Sequence, residues 1–535
     1  MTRIHWQATD NTFEVIAEGE AEWSEAVTIK APLPACVLSR VQAESKIGKF
    51  PIVFMNGYQG WTWSPYMHAQ ASIRGVAQIP SFLEKKYAFS AYGDYTFVRY
   101  PNKAGQLHGV SYCAFSDSLA DDTIELYASL DESDGYTLFA YDADSGTLHI
   151  EKDGARQTDG HTRTLFKLFR ARGRREAVYR QWFDAMGLPV KETPHLFGYS
   201  SWYNRYQNIS EKTILDDLCG CDTLFEKNDL FQIDDGWERA VGDWQADTDK
   251  FPNGMRYMAD QIHARGYRAG LWLAPFAAEK KSRLAQEHPD WLLRNPDGSL
   301  WQAGGNWSGF YGLDIDLEPV RAYVRKTFET VFAQWNFDLV KLDFLYAAAP
   351  FTGLNDSRGA KMHRAMRLLA DCCREHPIIG CGVPLAASFG LVSYCRIGCD
   401  VSFAWDDVWY MRLFHRERNS TWHSVMDTIG RFPLDTKAFG NDPDVFFLRD
   451  ENLHLPMEDK LDLARLDALL GHVHLLSDPI QAYTEEKKRF YKEMRALAEA
   501  VVTSYALLDK GIRITYTLKG KTETITLFKG RRLWL

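Results

Sequence analysis

The feature that most narrows the fold is a change of rhythm near residue 195 of the 535-residue chain. From there to about 450, apolar runs of strand length alternate with helical stretches. The runs are HLFGYSSW (195–202), DLFQIDDGW (229–237), YRAGLWLAPF (267–276), GFYGLDI (309–315), DLVKLDFLY (338–346), PIIGCGVPL (377–385), SYCRIGCDV (393–401) and DVFFLRD (444–450). Helical candidates fall between and after them, at 211–227, 254–265, 318–335, 357–374, 407–428 and 458–475. Eight strands, each followed by a helix or a long loop, is the period of a (β/α)₈ TIM barrel. An open doubly wound sheet fits less well, because no Gly-rich phosphate loop follows the first run.

The flanks read differently. Up to about residue 170, short alternating segments such as TFEVIAEGEAEW, YTFVRY, GVSYCAF and TIELYASL are separated by Gly, Asp, Asn and Ser clusters, which predicts an all-β sandwich. LFRARGRREAVYRQWFDAMG (168–187) predicts a basic amphipathic connector helix closed by Gly187. After a helical stretch at 484–507, GIRITYTLKGKTETITLFKG (511–530) alternates strictly and predicts a small β-unit. The expected organisation is an N-terminal β-sandwich domain over 1–175, a catalytic (β/α)₈ barrel with its connector helix over 176–482, and a small C-terminal β-domain over 483–535.

Charges inside the apolar runs carry the functional reading. VKLDFLY holds Lys341 and Asp343 within three positions, although burying an unpaired charge costs several kcal/mol, roughly. One reading is a buried salt bridge; the other is the end of a catalytic strand. Active sites of (β/α)₈ barrels lie at the C-terminal ends of the strands, and there the second run has Asp234 and Asp235, the third Trp272, the fifth Lys341 and Asp343, and the seventh Arg396 and Asp400. Residues two or four apart on a strand share a face, so both of the last two pairs are expected to point into one mouth. Val340, Leu342 and Phe344 are then expected to face the helices. Asp442 and Asp444 of NDPDVF read as structural, as do Asp314 and Asp316 of LDIDLEP, which read as a helix cap.

Such a cleft suits glycoside hydrolysis, which needs one carboxylate as nucleophile and another as acid/base. Asp343 beside the Lys341 cation is expected to stay ionised, as a nucleophile must. Asp400 is the candidate acid/base and must hold a proton, which requires a raised pKa. Arg396 in contact with it would act the wrong way, so Arg396 is expected to point at substrate.

A formal charge of −9 leaves no basic footprint, so neither nucleic acid nor an anionic membrane is an expected partner. The first residues lack a secretion pattern and no apolar stretch approaches a membrane span, which predicts a cytoplasmic protein. The nine cysteines have no paired C-x-x-C spacing, and they read as reduced thiols. Aromatic residues make up 14% of the chain, with 17 Trp, and indoles both fill cores and form platforms for sugar rings.

The motifs FQIDDGW, GDW, FPNGMRYMADQIHARGYRAGLWLAPF, EHPDWLL, LVKLDFLY and RIGCDV recur in order over about 230–401. Together they resemble the bacterial α-galactosidases (melibiases) of glycoside hydrolase family 36. The resemblance implies a β-sandwich, a (β/α)₈ barrel and a small C-terminal β-domain, with a retaining double displacement and no metal or nucleotide cofactor. It implies Asp343 as nucleophile and Asp400 as acid/base. It further implies that Asp234 and Asp235 accept hydrogen bonds from O4 and O6 of a terminal galactose, that Lys341 and Arg396 hold other hydroxyls, and that Trp272 lines the pocket. SSWYNRY offers Trp202 to the same pocket, and NGYQGWTW (56–63) resembles the family loop that sends a Trp, here Trp61, across to the sugar. The expected activity is that of an exo-α-galactosidase acting on small oligosaccharides such as melibiose or raffinose. An α-N-acetylgalactosaminidase is the alternative, and a non-catalytic sugar-binding protein a remoter one. Oligomeric state is not legible.

Overall fold

The computed structural model describes residues 3–9, 12–18, 51–76, 79–154, 163–188, 193–353, 356–409, 411–413 and 415–535. Cys36 lies outside the described residues, and the eight described cysteines are free thiols. Among the described residues, no helix is long and apolar enough to cross a membrane.

The centre is a closed parallel barrel. Its strands are Leu196–Ser200, Leu230–Ile233, Arg268–Leu273, Leu339–Leu342, Ile378–Gly380, Tyr394–Arg396, a seventh in two pieces at Gly440–Asp442 and Val445–Phe446, and Val473–Leu476. Each pairs in parallel with the next, and the eighth pairs with the first, so the sheet has no open edge. The first strand approaches the second so closely that a Cβ on Gly198 would stand 2.1 Å from the Leu230 carbonyl oxygen, which makes glycine obligatory there.

Eight strands were expected, but their identities differ. Phe310–Gly312, expected as the fourth, leaves the barrel and lies between Ala277–Glu279 and Gln302–Gly304 in a small antiparallel sheet. The true eighth, Val473–Leu476, reads in the sequence as the end of a helix, because fully buried strands do not alternate and only Gly471 and His472 separate it from helix Met457–Leu470. Lys341 therefore lies in the fourth strand with Asp343 directly after it, and Arg396 ends the sixth, with Asp400 four residues beyond. Asp314 and Asp316 do not cap helix Glu318–Glu329; they pair with Lys361 and Arg364 on helix Arg358–Cys373.

The N-terminal part forms a seven-stranded and a three-stranded antiparallel sheet. Val53, Met55, Phe115 and Tyr127 from one meet Leu107, Phe139 and Ile150 from the other in a shared apolar core. The stretch expected as a connector helix is half strand: Arg163–Arg174 pairs within the large sheet, and only Arg175–Met186 is helical, closing on Gly187 at φ 65° as expected. Val501–Leu507, Ile512–Leu518 and Lys521–Leu527 form the C-terminal antiparallel sheet. It is tied to helix Met457–Leu470, which precedes the eighth strand, by Phe528 N–H to Asp462 and Arg531 to Asp459.

The loop carrying Trp61 is clamped to the barrel by one side chain. Arg431 ends helix Thr421–Arg431, which Ser420 caps through the His423 N–H, and its guanidinium is fully buried. It donates to the carbonyls of Gln59, Gly60, Thr62 and Ile397, to Asn56 Oδ1 and to Ser64 Oγ, at 2.6–3.2 Å. Gly60 lies so close that a Cβ would stand 2.4 Å from the Arg396 carbonyl oxygen. Beside the clamp, Asp427 accepts the Ser64 N–H at 2.6 Å, and burial pushes its carboxyl up to about 8 against the pull of Arg431.

Replacing Arg431 with Leu strands several buried carbonyls, each worth about 1–3 kcal/mol, and is expected to lower the denaturation midpoint clearly, as followed by urea unfolding. Asp427 carries a pH dependence. Between its ordinary 3.8 and about 8 the folded chain keeps a proton that the unfolded chain releases, so stability from this residue falls as pH rises through that window. Asp427→Asn is expected to gain stability on wild type from pH 5 to pH 8; an unchanged difference between the two unfolding midpoints would count against this.

Candidate active site

At the C-terminal ends of the barrel strands lies a cavity of about 580 Å³. Asp234, Asp235, Trp272, Lys341, Asp343 and Asp400 line it from the barrel, Trp202 from the turn after the first strand, and Trp61 from the N-terminal loop. Eight of the nine expected site residues thus share one cavity. Among the described residues, no group of three or more His, Cys, Asp or Glu is arranged to hold a metal ion.

Asp343 immediately follows the fourth strand. Its Oδ2 accepts Trp272 Nε1–H at 3.0 Å and its Oδ1 accepts the Phe344 N–H at 2.9 Å. Trp272 is in turn held through its carbonyl by Trp237 Nε1–H at 2.9 Å. Burial raises the Asp343 carboxyl, against Lys341, Trp272 and Cys381, which lower it. The expectation from Lys341 alone was the reverse; burial outweighs the cation.

Lys341 Nζ donates to Asp234 Oδ2 at 3.0 Å, bridging the ends of the fourth and second strands. Burial opposes its charge, but Asp234 overrides burial and holds the ammonium well above its usual range. Lys341 is therefore ion-paired, though with Asp234 and not with its neighbour Asp343. Asp234 also accepts from Gln232 at 2.6 Å and Ser200 at 3.3 Å. Asp235 Oδ2 accepts from Gln207 at 2.8 Å and from Trp307 Nε1–H at 2.9 Å. Glu238 lies against Asp235; burial first, then that carboxylate, hold its carboxyl well above the usual range.

Arg396 departs from expectation. It does not line the cavity but lies beneath it, 3% exposed, with Nη1 on Asp400 at 2.9 Å, Nη2 on Asp444 at 2.6 Å and Nε near Asp442 at 3.5 Å. The predicted separation of Arg396 from Asp400 is not found. Asp442 and Asp444, read as structural, are instead partners of this guanidinium.

The melibiase family model matches residues 197–365, from the first barrel strand into the helix after the fourth. α-Galactosidase 1 of Pediococcus pentosaceus is 30% identical over 122 residues, covering 22% of this chain and 16% of that one. α-Galactosidase AgaA of Geobacillus stearothermophilus is 29% identical over 192 residues, covering 35% of this chain and 24% of that one. The structure of TtGalA, an α-galactosidase from Thermus thermophilus in complex with p-nitrophenyl α-D-galactopyranoside, superposes with a TM-score of 0.74 at 26% identity, over 98% of this chain and 96% of that one. These matches support a relationship to the glycoside hydrolase family 36 α-galactosidases.

Several residues of the cavity are not legible in the sequence. Phe344, expected to face a helix, takes φ 52° and ψ 33°, turns the chain out of the strand, and lines the cavity. Trp307 arrives on the excursion between the third and fourth strands, so no strand-end signal marks it. Tyr92, His415, Glu417 and Arg418 come from loops that meet only in three dimensions. Trp61 packs edge-on against Phe344 at 5.2 Å and donates Nε1–H to Cys381 Sγ at 3.3 Å.

Trp61 covers Cys381, whose thiol burial also pushes well above its usual range. Cys381 is expected to resist iodoacetamide in the folded wild-type protein and to become labelled in Trp61→Ala, measured by peptide mass spectrometry. Identical labelling of the two proteins would show that Trp61 is not its cover.

Proposed function

We propose that the chain is a retaining exo-α-galactosidase that releases terminal α-linked galactose from oligosaccharides such as melibiose or raffinose. The observation that carries this reading is the pair Asp343 and Asp400, which approach one cavity from different strand ends in different surroundings. Asp343 is buried and pinned by two N–H donors, whereas the Asp400 side chain is 31% exposed at the cavity wall. A fixed carboxylate suits attack on an anomeric carbon, and a partly solvated one suits proton exchange with a leaving group and then with water. TtGalA and a variant of AgaA were solved in complex with stachyose and raffinose respectively, which supports an oligosaccharide substrate here.

In the first step Asp343 attacks the anomeric carbon as the glycosidic bond breaks, and Asp400 gives its proton to the departing oxygen. In the second, water gives a proton to Asp400 and attacks the same carbon, releasing Asp343. Two inversions return the α-anomer. The Asp234–Lys341 pair sets a charged acceptor beside a charged donor, a match for adjacent sugar hydroxyls that an analogue lacking them would leave unpaired. Asp235 and the faces of Trp272, Trp202 and Trp61 complete the binding surface, while Arg396 acts from beneath and not on the sugar. The 1–175, 176–482 and 483–535 units are proposed as the domains that assemble it.

Asp343→Ala is expected to lower kcat on 4-nitrophenyl α-galactoside by more than about 10³-fold, with partial rescue by azide yielding β-galactosyl azide; near-normal activity would end the assignment. The first-formed galactose is expected to be the α-anomer by NMR, and a β-anomer would overturn retention. Asp400→Ala is expected to spare the aryl galactoside far more than melibiose, since only the poor leaving group needs the proton. Turnover of an aryl α-N-acetylgalactosaminide in place of the galactoside would move the substrate, not the chemistry.

A further inference from the structure

Three carboxylates converge on one guanidinium beneath the cavity. Arg396 meets Asp400, Asp442 and Asp444, and the shortest of these contacts, 2.6 Å, is to Asp444. Asp444 is 2% exposed and absent from the cavity wall, so it does not touch substrate there. Its second oxygen accepts the Tyr203 hydroxyl at 2.5 Å and the Val401 N–H at 2.9 Å, the residue directly after Asp400.

The backbone is distorted to place this group. Asp444 has φ 88°, an uncommon conformation for a residue with a Cβ, and it sits in the gap that splits the seventh strand into 440–442 and 445–446. Pro443, preceding it, offers no N–H to the ladder. The strand gives up pairing at the point where Asp444 turns inward.

We infer that Asp444 is a positioning residue that takes up the charge of Arg396 and so leaves Asp400 free to serve the leaving group. The inference rests on the reading of Asp400 as acid/base. One guanidinium facing three carboxylates leaves an excess of two negative charges if all ionise, and such a group binds protons more readily than a simple ion pair. Burial, against the pull of Arg396, pushes the Asp444 carboxyl up to about 7. Its ionisation adds negative charge that faces Asp400, alongside Asp442. Other groups that interact with Asp400 are Asp343 from the fourth strand, Tyr203 and Tyr206 after the first, Cys381 and Cys399; Asp467 faces Asp444 and Asp442 from helix Met457–Leu470.

Asp444→Asn keeps the shape and removes the charge, leaving Arg396 to Asp400 and Asp442. The basic limb of kcat/KM on melibiose is expected to move down by about one pH unit, roughly a tenfold loss on its falling side, while 4-nitrophenyl α-galactoside changes by no more than about twofold. An unmoved basic limb with equal losses on both substrates would mark Asp444 as merely structural and overturn the inference. Should Asp444→Asn be insoluble, Tyr203→Phe decides: it removes a donor to Asp444, favours its neutral form, and is expected to move the limb the same way by less, with no movement overturning the assignment. Equal losses on both substrates in Asp400→Ala would instead remove the acid/base reading itself, so the two failures are distinguishable.

Discussion

Closure of the parallel barrel is the constraint on which the rest depends, and it runs through a broken strand. The sixth strand pairs with Gly440–Asp442 and the eighth with Val445–Phe446, so the ring is complete only because one segment serves both neighbours across Pro443 and Asp444. A closed barrel with helices outside leaves one end at which polar groups from many strands meet. There the cost of burying charge is offset by pairing it. Lys341 in the cavity lining is held this way by Asp234, and Arg396 beneath it by three carboxylates.

The N-terminal sheets complete the cavity from outside. They do so through a rigid contact: Gly60 presses on the Arg396 backbone, and the Arg431 fork takes up the carbonyls that a tight loop cannot satisfy internally. Trp61 is thereby held over Cys381 and against Phe344. Packing of the sheets, helix Thr421–Arg431 and the sixth strand end are thus coupled mechanically to the floor of the site.

The two candidate catalytic carboxylates are separated by environment more than by sequence. Asp343 is buried at the cavity lining and held by two N–H donors, whereas Asp400 stands at the wall above a shared guanidinium. Groups of the same kind can take different roles when burial, donors and neighbouring charge differ.

How much was legible follows from these particulars. Strand–helix alternation announced the barrel class, and charged residues in apolar runs named five of the side chains that line the cavity, Asp234, Asp235, Lys341, Asp343 and Asp400. Identity along the ring was not legible, because Val473–Leu476 has the composition of a helix end and Phe310–Gly312 that of a barrel strand. The environment of Arg396 was not legible either: its spacing from Asp400 showed that the two share a face, not that they touch. Sequence alone determined which chemistry the strand ends carry, since apolar runs admit charge only where a partner or solvent awaits. Only the tertiary structure decided which charges pair, because Asp444, Trp61 and Trp307 reach the site through a broken strand, a clamped loop and an excursion, and pairing energy depends on distances that no local pattern encodes.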